Sequence, residues 1–540
     1  MQWLVAFVCV AIVNDAHGVR YLNVTLDAVQ RQLQEFKITH PKPIGVLTTS
    51  AGRPVEVRES VTLNTDFFNN PHFWDLQTAS DHERIPERTV HARGTGAFGY
   101  FEVTNDVSKY TKADVFNGIG KRTPVVVRFS YLVQGRAGLD VVRETGALTT
   151  KFYTNEGNLD FLSLSFPVFL YNSPHEFNSL AHAFKRNPKT YIVDPTARLD
   201  LVTLTPESIH QILWLFSDYG IFNGYRHMNA FPVHAYELVN KHGDSYFVRF
   251  NFITEQGLEL LSDRAAGALR ANDPDYSTRD LYDAIAAGNY PSWRLDMDII
   301  PKSHIPKLNY NPFDMSTLWK NGTYHTVTIG RLVLNRNPEN QFKDVEQTAF
   351  NPGNLVPGIP GPVDDAFKVR RFSYRDTQSY RLGINHNNIR VNQPKYRKIY
   401  NRDGLPPVLD NMKDAPNYYE NSFNGPVPYV DVAKPKEALS VKFKQSVDLG
   451  ESSYFYNTYV NTEGKRNRMA ANLASVMVNA VEEVQMKFLK IMYLIDRDLG
   501  ARVEAALPVA EEQKLLERPR LVVVEEYPKT YDLVPMCQCH

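Results

Sequence analysis

Cysteine is nearly missing from this chain. Three occur in 540 residues: Cys9 in an N-terminal apolar run, and Cys537 and Cys539 in the closing "CQCH". A disulfide framework is therefore excluded, and the core must supply the stability. The C-x-C pair has two readings, a solvated tail or a metal-binding end. An excess of charge is missing as well, since Lys+Arg and Asp+Glu are both 60. Without a basic field, neither nucleic acid nor an anionic membrane surface is an expected partner. Beyond the N-terminus no apolar run approaches the ~18 residues of a membrane span. Internal repeats and low-complexity blocks are absent. So are H-E-x-x-H and G-x-S-x-G, which leaves zinc protease and serine hydrolase without support.

What is present suits a large globular protein. Hydrophobic residues make up 43%, with 29 Tyr and 30 Phe, and 33 prolines imply much fixed irregular chain. The length predicts two folding units, one large and one small. The run "WLVAFVCVAIV", followed by "NDAHG" with Ala16 and Gly18 suitably spaced for cleavage, reads as a signal peptide over 1–18 and so as a secreted protein. It lacks the usual basic residue ahead of the run, and a buried N-terminal segment is the other reading. Two sequons, Asn23-Val-Thr and Asn321-Gly-Thr, are usable only in the secretory route.

Short alternating runs dominate from about 96 to 170 and from 234 to 340. In "SYFVRFNFIT", Val248, Phe250 and Phe252 share one face; "TVTIGRLVLN" reads the same way, and both predict strands of an antiparallel sheet or barrel. "PESIHQILWLFSDYGI" (206–221) has a proline start and helical spacing. From about 395 to 440 the chain turns to Pro, Asn, Gly and Asp, a wrapping segment or linker. After it, Leu473, Val476, Met477, Ala480, Val484, Phe488 and Ile491 follow a helical period.

Chemistry gathers in two stretches. "RIPERTVHARGTGAFGYFEV" (84–103) sets His91 between Arg88 and Arg93, which discourage protonation of the imidazole. Its glycines, Gly94, Gly96 and Gly99, lack the Lys-Ser/Thr and the preceding strand of a nucleotide cradle. Alone, His91 reads more readily as a surface or hydrogen-bonded structural group than as a catalyst. "RRFSYRDTQSYRLG" (370–383) places Arg370 and Tyr374 at i and i+4, on one helix face, with Arg381 seven residues further. A free phenol ionises near pH ~10. One cation at ~4 Å with an effective dielectric near ~20 is worth about 4 kcal/mol, or about three pKa units. Tyr374 could thus serve as an anionic ligand to ferric iron; a surface ion-pair helix is the plainer reading of the same residues.

Together these two stretches resemble the distal-histidine and proximal-tyrosine signatures of haem catalases. The resemblance runs over about residues 40 to 425, through "PVVVRFS" (124–130), "KFYTNEGN" (151–158), "RHMN" (226–229), "DPDYSTRDLYDAIAAGNYPSW" (273–293), "RLVLNRNPEN" (331–340) and "APNYYENSF" (415–423). It implies an α+β fold: an antiparallel eight-stranded β-barrel core (43–394) after an N-terminal arm (19–42), a wrapping segment (395–440) and a C-terminal helical domain (441–540). It implies haem, hydrogen peroxide as substrate, and a homotetramer. His91 matches the distal base, and Ser130 the hydroxyl that orients its ring. Phe177 matches the ring that stacks on the porphyrin. Tyr374 matches the iron ligand, as in tyrosine-ligated haem, and Arg370 the group that keeps it anionic. Arg88, Arg128 and Arg381 match the partners of the haem propionates.

The chain also departs from the family. In "GNLDFLSLSFP", Leu164 stands where the resemblance puts a catalytic asparagine, and Ser163 or Ser165 could replace it after a one-residue shift. Leu132 stands for a distal valine and Glu144 for a channel aspartate. Of the family's NADPH positions, His210, Ser217 and Asn229 match, but Tyr219 and Ile253 replace basic residues and Asn321 a histidine. Losing two cations that would meet phosphates argues against tight dinucleotide binding. Three readings follow: a haem catalase with lowered activity, a peroxidatic or lipid-hydroperoxide haem enzyme on the same scaffold, and a non-enzymatic extracellular haem carrier.

Overall fold

The expected strands assemble into one antiparallel sheet. The computed structural model describes residues 27–60, 69–408, 411–433, 439, 441 and 448–517. The segment read as a signal peptide, Asn23 and all three cysteines lie outside them. Two compact units emerge. The larger combines the chain through Pro167 with Ile221–Asp314 and Trp319–Lys442; the smaller combines Val168–Gly220 and Met315–Leu318 with the chain from Phe443 on.

The larger unit is built on the sheet. Its strands are β1 (Gly94–Val103), β2 (Arg122–Tyr131), β3 (Gly146–Thr154), β4 (Gly157–Leu164), β5 (Tyr236–Val239), β6 (Ser245–Thr254), β7 (Ser292–Pro301), β8 (His325–Arg336) and β9 (Gly361–Pro362), in the order β4-β3-β2-β1-β8-β7-β6-β5-β9. The expected eight strands are thus joined by a ninth, which adds only two residues beside β5. The sheet curls, and residues 230 and 231 tie its β4 edge to β6 through single bridges, Leu164 with Phe231 and Ala230 with Phe252.

Alternation explains the interior. Phe161 of β4 packs against Phe250 of β6 at 4.6 Å, Tyr236 of β5 at 5.4 Å and Phe152 of β3 at 5.7 Å. Rings from separate strands meet because residues two apart share a face. In β6 both faces are covered: Val248, Phe250 and Phe252 are buried as their alternation predicts, and Phe247 is buried against Phe313.

The smaller unit is helical. It holds Glu176–Ala183, Pro195–Leu204, Ile209–Phe216, Gly450–Thr458, Glu463–Met477, Glu482–Ile495 and Arg497–Glu517. Trp214 and Phe455 meet within it at 4.5 Å, their rings tilted by 41°. The apolar period read from Leu473 to Ile491 is divided between two helices, because the chain leaves helical geometry between Met477 and Glu482. Among the described residues no helix is long and apolar enough to cross a membrane.

Candidate active site

The turn before β1 gives His91 an unusual backbone. Its φ is +60°, a region that costs a non-glycine residue about 1–3 kcal/mol. Two bonds hold it there: its N–H donates to Leu132 O at 2.9 Å, and Arg128 Nη1 donates to its carbonyl at 2.8 Å. Nδ1 of the ring lies 3.1 Å from Ser130 Oγ on β2. The glycine after the turn has a steric reason. A Cβ at Gly94 would sit 2.1 Å from Phe129 O and 2.9 Å from Arg128 Nη2, so only glycine lets the arginine cross the sheet there.

His91 is held neutral. Its pKa is pushed down to about 3, first by burial and then by the charges of Arg128, Arg370 and Arg88. Arg93, its other neighbour in sequence, turns away to Asp140 at 3.0 Å and Asp275 at 2.6 Å. Imidazole and Arg370 therefore border a common buried region, although they come from opposite ends of the larger unit's sequence.

Arg370 belongs to the helix Asp365–Leu382, where it meets Tyr374 one turn on, its guanidinium 5.5 Å from the ring centroid. Arg370 Nη1 donates to His234 Nε2 at 2.6 Å, and His234 Nδ1 contacts Asp364 Oδ2 at 2.9 Å. Asp364 also caps the helix, since its Oδ1 accepts from Phe367 N at 2.8 Å. Burial lowers the His234 pKa below its ordinary value, although Asp364 opposes this. A neutral ring here donates from Nδ1 to the carboxylate and accepts at Nε2 from the arginine. Burial works against the charge on Arg370, yet the adjoining Tyr374 and then Tyr236 and Asp364 hold its pKa above the usual value. Sequence patterns did not point to His234 or Asp364. Asp364 carries a cap signal, but "PVHAYELV" around His234 reads only as a strand.

Arg88, Arg128 and Arg381 form a second group. Arg88 Nη2 donates to the carbonyls of Val345, Glu346 and Thr348 at 2.9–3.1 Å. Arg381 donates to Glu346 O at 2.7 Å and Thr348 O at 3.0 Å. These acceptors are offered by a π-helical turn, Phe342–Glu346, and the residues just past it. Glu346 is the carboxylate among them, 3.4 Å from Arg88 and 3.8 Å from Arg381. One carboxylate does not balance three buried guanidiniums. Burial lowers the pKa of all three, and mutual repulsion adds to it for Arg128 and Arg381, the latter pushed down to about 9. Among the described residues Arg128 Nε is buried with no hydrogen-bond acceptor, and Arg88 Nη1 has only its 3.4 Å ion pair with Glu346. Buried charge of this kind calls for anions. The two carboxylates of a haem would complete the balance, so the residues present fit that group.

Leu164 ends β4 with both backbone groups bound to Phe231, at 2.8 and 2.7 Å. Pairing of Ser130 with Ala147 and of Ala147 with Leu164 sets these three in one row across β2, β3 and β4, on one face. Neighbouring strands lie ~4.8 Å apart, so Leu164 is about 10 Å across the sheet from Ser130. The shift that would bring a serine to this position is closed by the register. Ser163 and Ser165 flank Leu164 and so face the other way, and Ser165 Oγ accepts from Gly146 N at 3.0 Å. Leu132 is buried, and Glu144 accepts from the N–H groups of Val133 and Gln134. Phe177 is half-buried on the helix Glu176–Ala183 of the smaller unit. The positions assigned to NADPH are split: His210, Ser217 and Tyr219 are in the smaller unit, Asn229, Ile253 and Asn321 in the larger.

A curled antiparallel sheet carrying a neutral imidazole, a surplus of buried guanidiniums and an arginine-backed tyrosine suits proton transfer next to a bound anion. Comparison with known proteins makes this specific. Residues 48–425 match the Catalase family model. The chain is 39% identical to the catalase of Rattus norvegicus over 90% of its length and 95% of that protein, and 41% identical to that of Methanosarcina barkeri over 86% and 94%. Its structure is similar to that of a fungal catalase, with TM-score 0.82 and 32% identity over 87% of this chain and 98% of that one. Catalase A of Saccharomyces cerevisiae gives 0.80 and 31%, over 86% and 99%. The chain belongs to the catalase family and is an enzyme of that family.

Proposed function

We propose that the chain carries haem and converts hydrogen peroxide to water and oxygen, at a rate lowered by Leu164, as a secreted homotetramer. The observation that carries this reading is the surplus of buried positive charge at Arg88, Arg128 and Arg381 beside a neutral His91. The three arginines would hold the propionates, and Tyr374 would be the iron ligand, with the Arg370 guanidinium beside its ring. Haem, when bound, supplies the redox chemistry of the reaction. His91 does the proton work. With its own proton on Nδ1 toward Ser130, its Nε2 is free to accept a proton from one peroxide oxygen and return it to the other.

Leu164 offers no hydrogen bond to the substrate. Removing one oxyanion-hole donor costs about 2.7–4 kcal/mol where it has been measured, and an ordinary bond to a charged group is worth about 1.5–3 kcal/mol. Turnover of hydrogen peroxide is therefore lowered by roughly one to three orders of magnitude. Dinucleotide protection is not part of the proposal, because Tyr219 and Ile253 offer no charge to phosphates. Oxygen release by haem-loaded protein, set beside Leu164→Asn, tests the reading; no oxygen from either would refute it.

The apolar side chain of Leu164 favours a second reading, in which phenols or organic hydroperoxides are the physiological co-substrates. Oxidation of these without oxygen release would select it. Secretion and the homotetramer rest on the N-terminal sequence and on family membership; detection of the chain in culture medium and its mass in solution test them.

A further inference from the structure

We propose that Asn321 is an acceptor for an N-linked glycan. Of the two sequons, Asn321-Gly322-Thr323 lies within the described residues, on the turn between Trp319 and β8. Thr323 N donates to Lys320 O at 3.1 Å, closing the turn. Gly322, its third residue, has φ +84°, which a residue with a Cβ resists, and a Cβ built there meets nothing within 4 Å. The sequon's middle position thus needs glycine for its backbone and opens to solvent. Asn321 is itself exposed.

The side chains around the amide are arranged for attachment. Asn321 Oδ1 accepts from Tyr324 OH at 3.4 Å, which turns the oxygen toward the protein. Among the described residues Nδ2, the atom that would carry the sugar, makes no hydrogen bond. The turn is fastened at both ends. Trp319 is buried and its Nε1 donates to Pro312 O at 2.7 Å, and Thr323 Oγ1 lies 2.6 Å from Tyr310 OH. A glycan on Asn321 would therefore project into solvent without displacing a core contact.

The transfer is chemically complete with one donor class, a lipid-diphosphate-linked oligosaccharide. Asn321 Nδ2 forms a bond to the sugar's anomeric carbon, and the bond from that carbon to the diphosphate oxygen breaks. The lipid diphosphate leaves, and the amide nitrogen gives up one proton. Oxidation states do not change. Asn321 also stands at one of the positions that family resemblance gives to dinucleotide binding, so the modification would turn that position to another use.

This inference rests on the proposed secretory route, and the test separates the two. The full chain is produced in eukaryotic cells behind its own N-terminus and, in parallel, behind a heterologous secretory leader. Protein from the medium is treated with a glycan-cleaving amidase and its peptides are weighed. The expected result is a mass loss with conversion of Asn321 to Asp, abolished by Asn321→Gln and by Thr323→Ala and kept by Thr323→Ser. Retention inside the cell behind its own N-terminus alone would refute the secretory reading. Secreted protein from the heterologous leader with an unmodified Asn321 would overturn the glycan site.

Discussion

His91 Nδ1 and Ser130 Oγ lie 3.1 Å apart across the start of β1 and the end of β2, and this contact decides which ring nitrogen is left for chemistry. A base that must accept and return a proton within one encounter needs a fixed ring. Ser130→Ala removes one hydrogen bond worth about 0.5–1.5 kcal/mol, so oxygen release should fall roughly two- to twelvefold. His91→Ala removes the base itself and should cost about 10²–10⁴-fold. Initial rates on a haem-loaded series check both, and equal loss in the two variants would deny Ser130 a positioning role.

The depressed pKa of His91 fixes a pH dependence. The group ionises near pH 6.5 when unfolded and at about 3 in the folded chain. Between those values the unfolded state holds a proton that the folded state does not. Stability from this group is therefore fully present above pH 6.5 and is lost as pH falls toward 3. His91→Gln should flatten the acid side of a stability curve measured by thermal melting. In wild type, the rate of oxygen release should show no acid limb centred at pH 6.5.

Surplus positive charge at Arg88, Arg128 and Arg381 predicts tight uptake of a dianion. Replacing Arg88 with Met removes a charged partner worth about 1.5–3 kcal/mol, so haemin should bind roughly 10- to 150-fold more weakly. Titration followed in the Soret region measures this. Unchanged affinity in all three single variants would show that Arg88 and Arg381 serve only the Val345–Thr348 carbonyls, and Arg128 only those of His91 and Ala92.

Asp364 combines a helix cap with an anion for His234, and the two roles can be separated. Asp364→Asn keeps the capping oxygen and removes the charge. Stability should change little, while the spectrum of the haem-loaded protein shifts through His234, Arg370 and Tyr374. Asp364→Ala loses the cap too and should cost a further ~0.5–2 kcal/mol. Identical spectra for wild type and Asp364→Asn would disconnect this chain of contacts from the tyrosine.

Much of this arrangement is legible in the amino-acid sequence. The alternation in β6 and β8 and the i, i+4 pairing of Arg370 with Tyr374 are local patterns, and local patterns survive folding. His234, Asp364 and Glu346 could not be found that way. Their roles arise from contacts such as Arg88 with Glu346, separated by 258 residues, which leave no periodic trace. Register was equally hidden: the sequence allowed Ser163 or Ser165 to slide into the place of Leu164, and the bridge to Phe231 forbids it. The flanking arginines were half informative. Arg88 acts on His91, whereas Arg93 serves Asp140 and Asp275, and the stronger influences on the ring are burial and Arg128.

Oxygen evolution from hydrogen peroxide by the haem-loaded chain, with wild type and Leu164→Asn side by side, is the most direct measurement. With His91 acting as the base and Tyr374 as the residue that would hold haem, both should release oxygen and the asparagine variant should be faster by about 10- to 10³-fold. Haem-replete protein of both kinds that releases no oxygen would contradict the account.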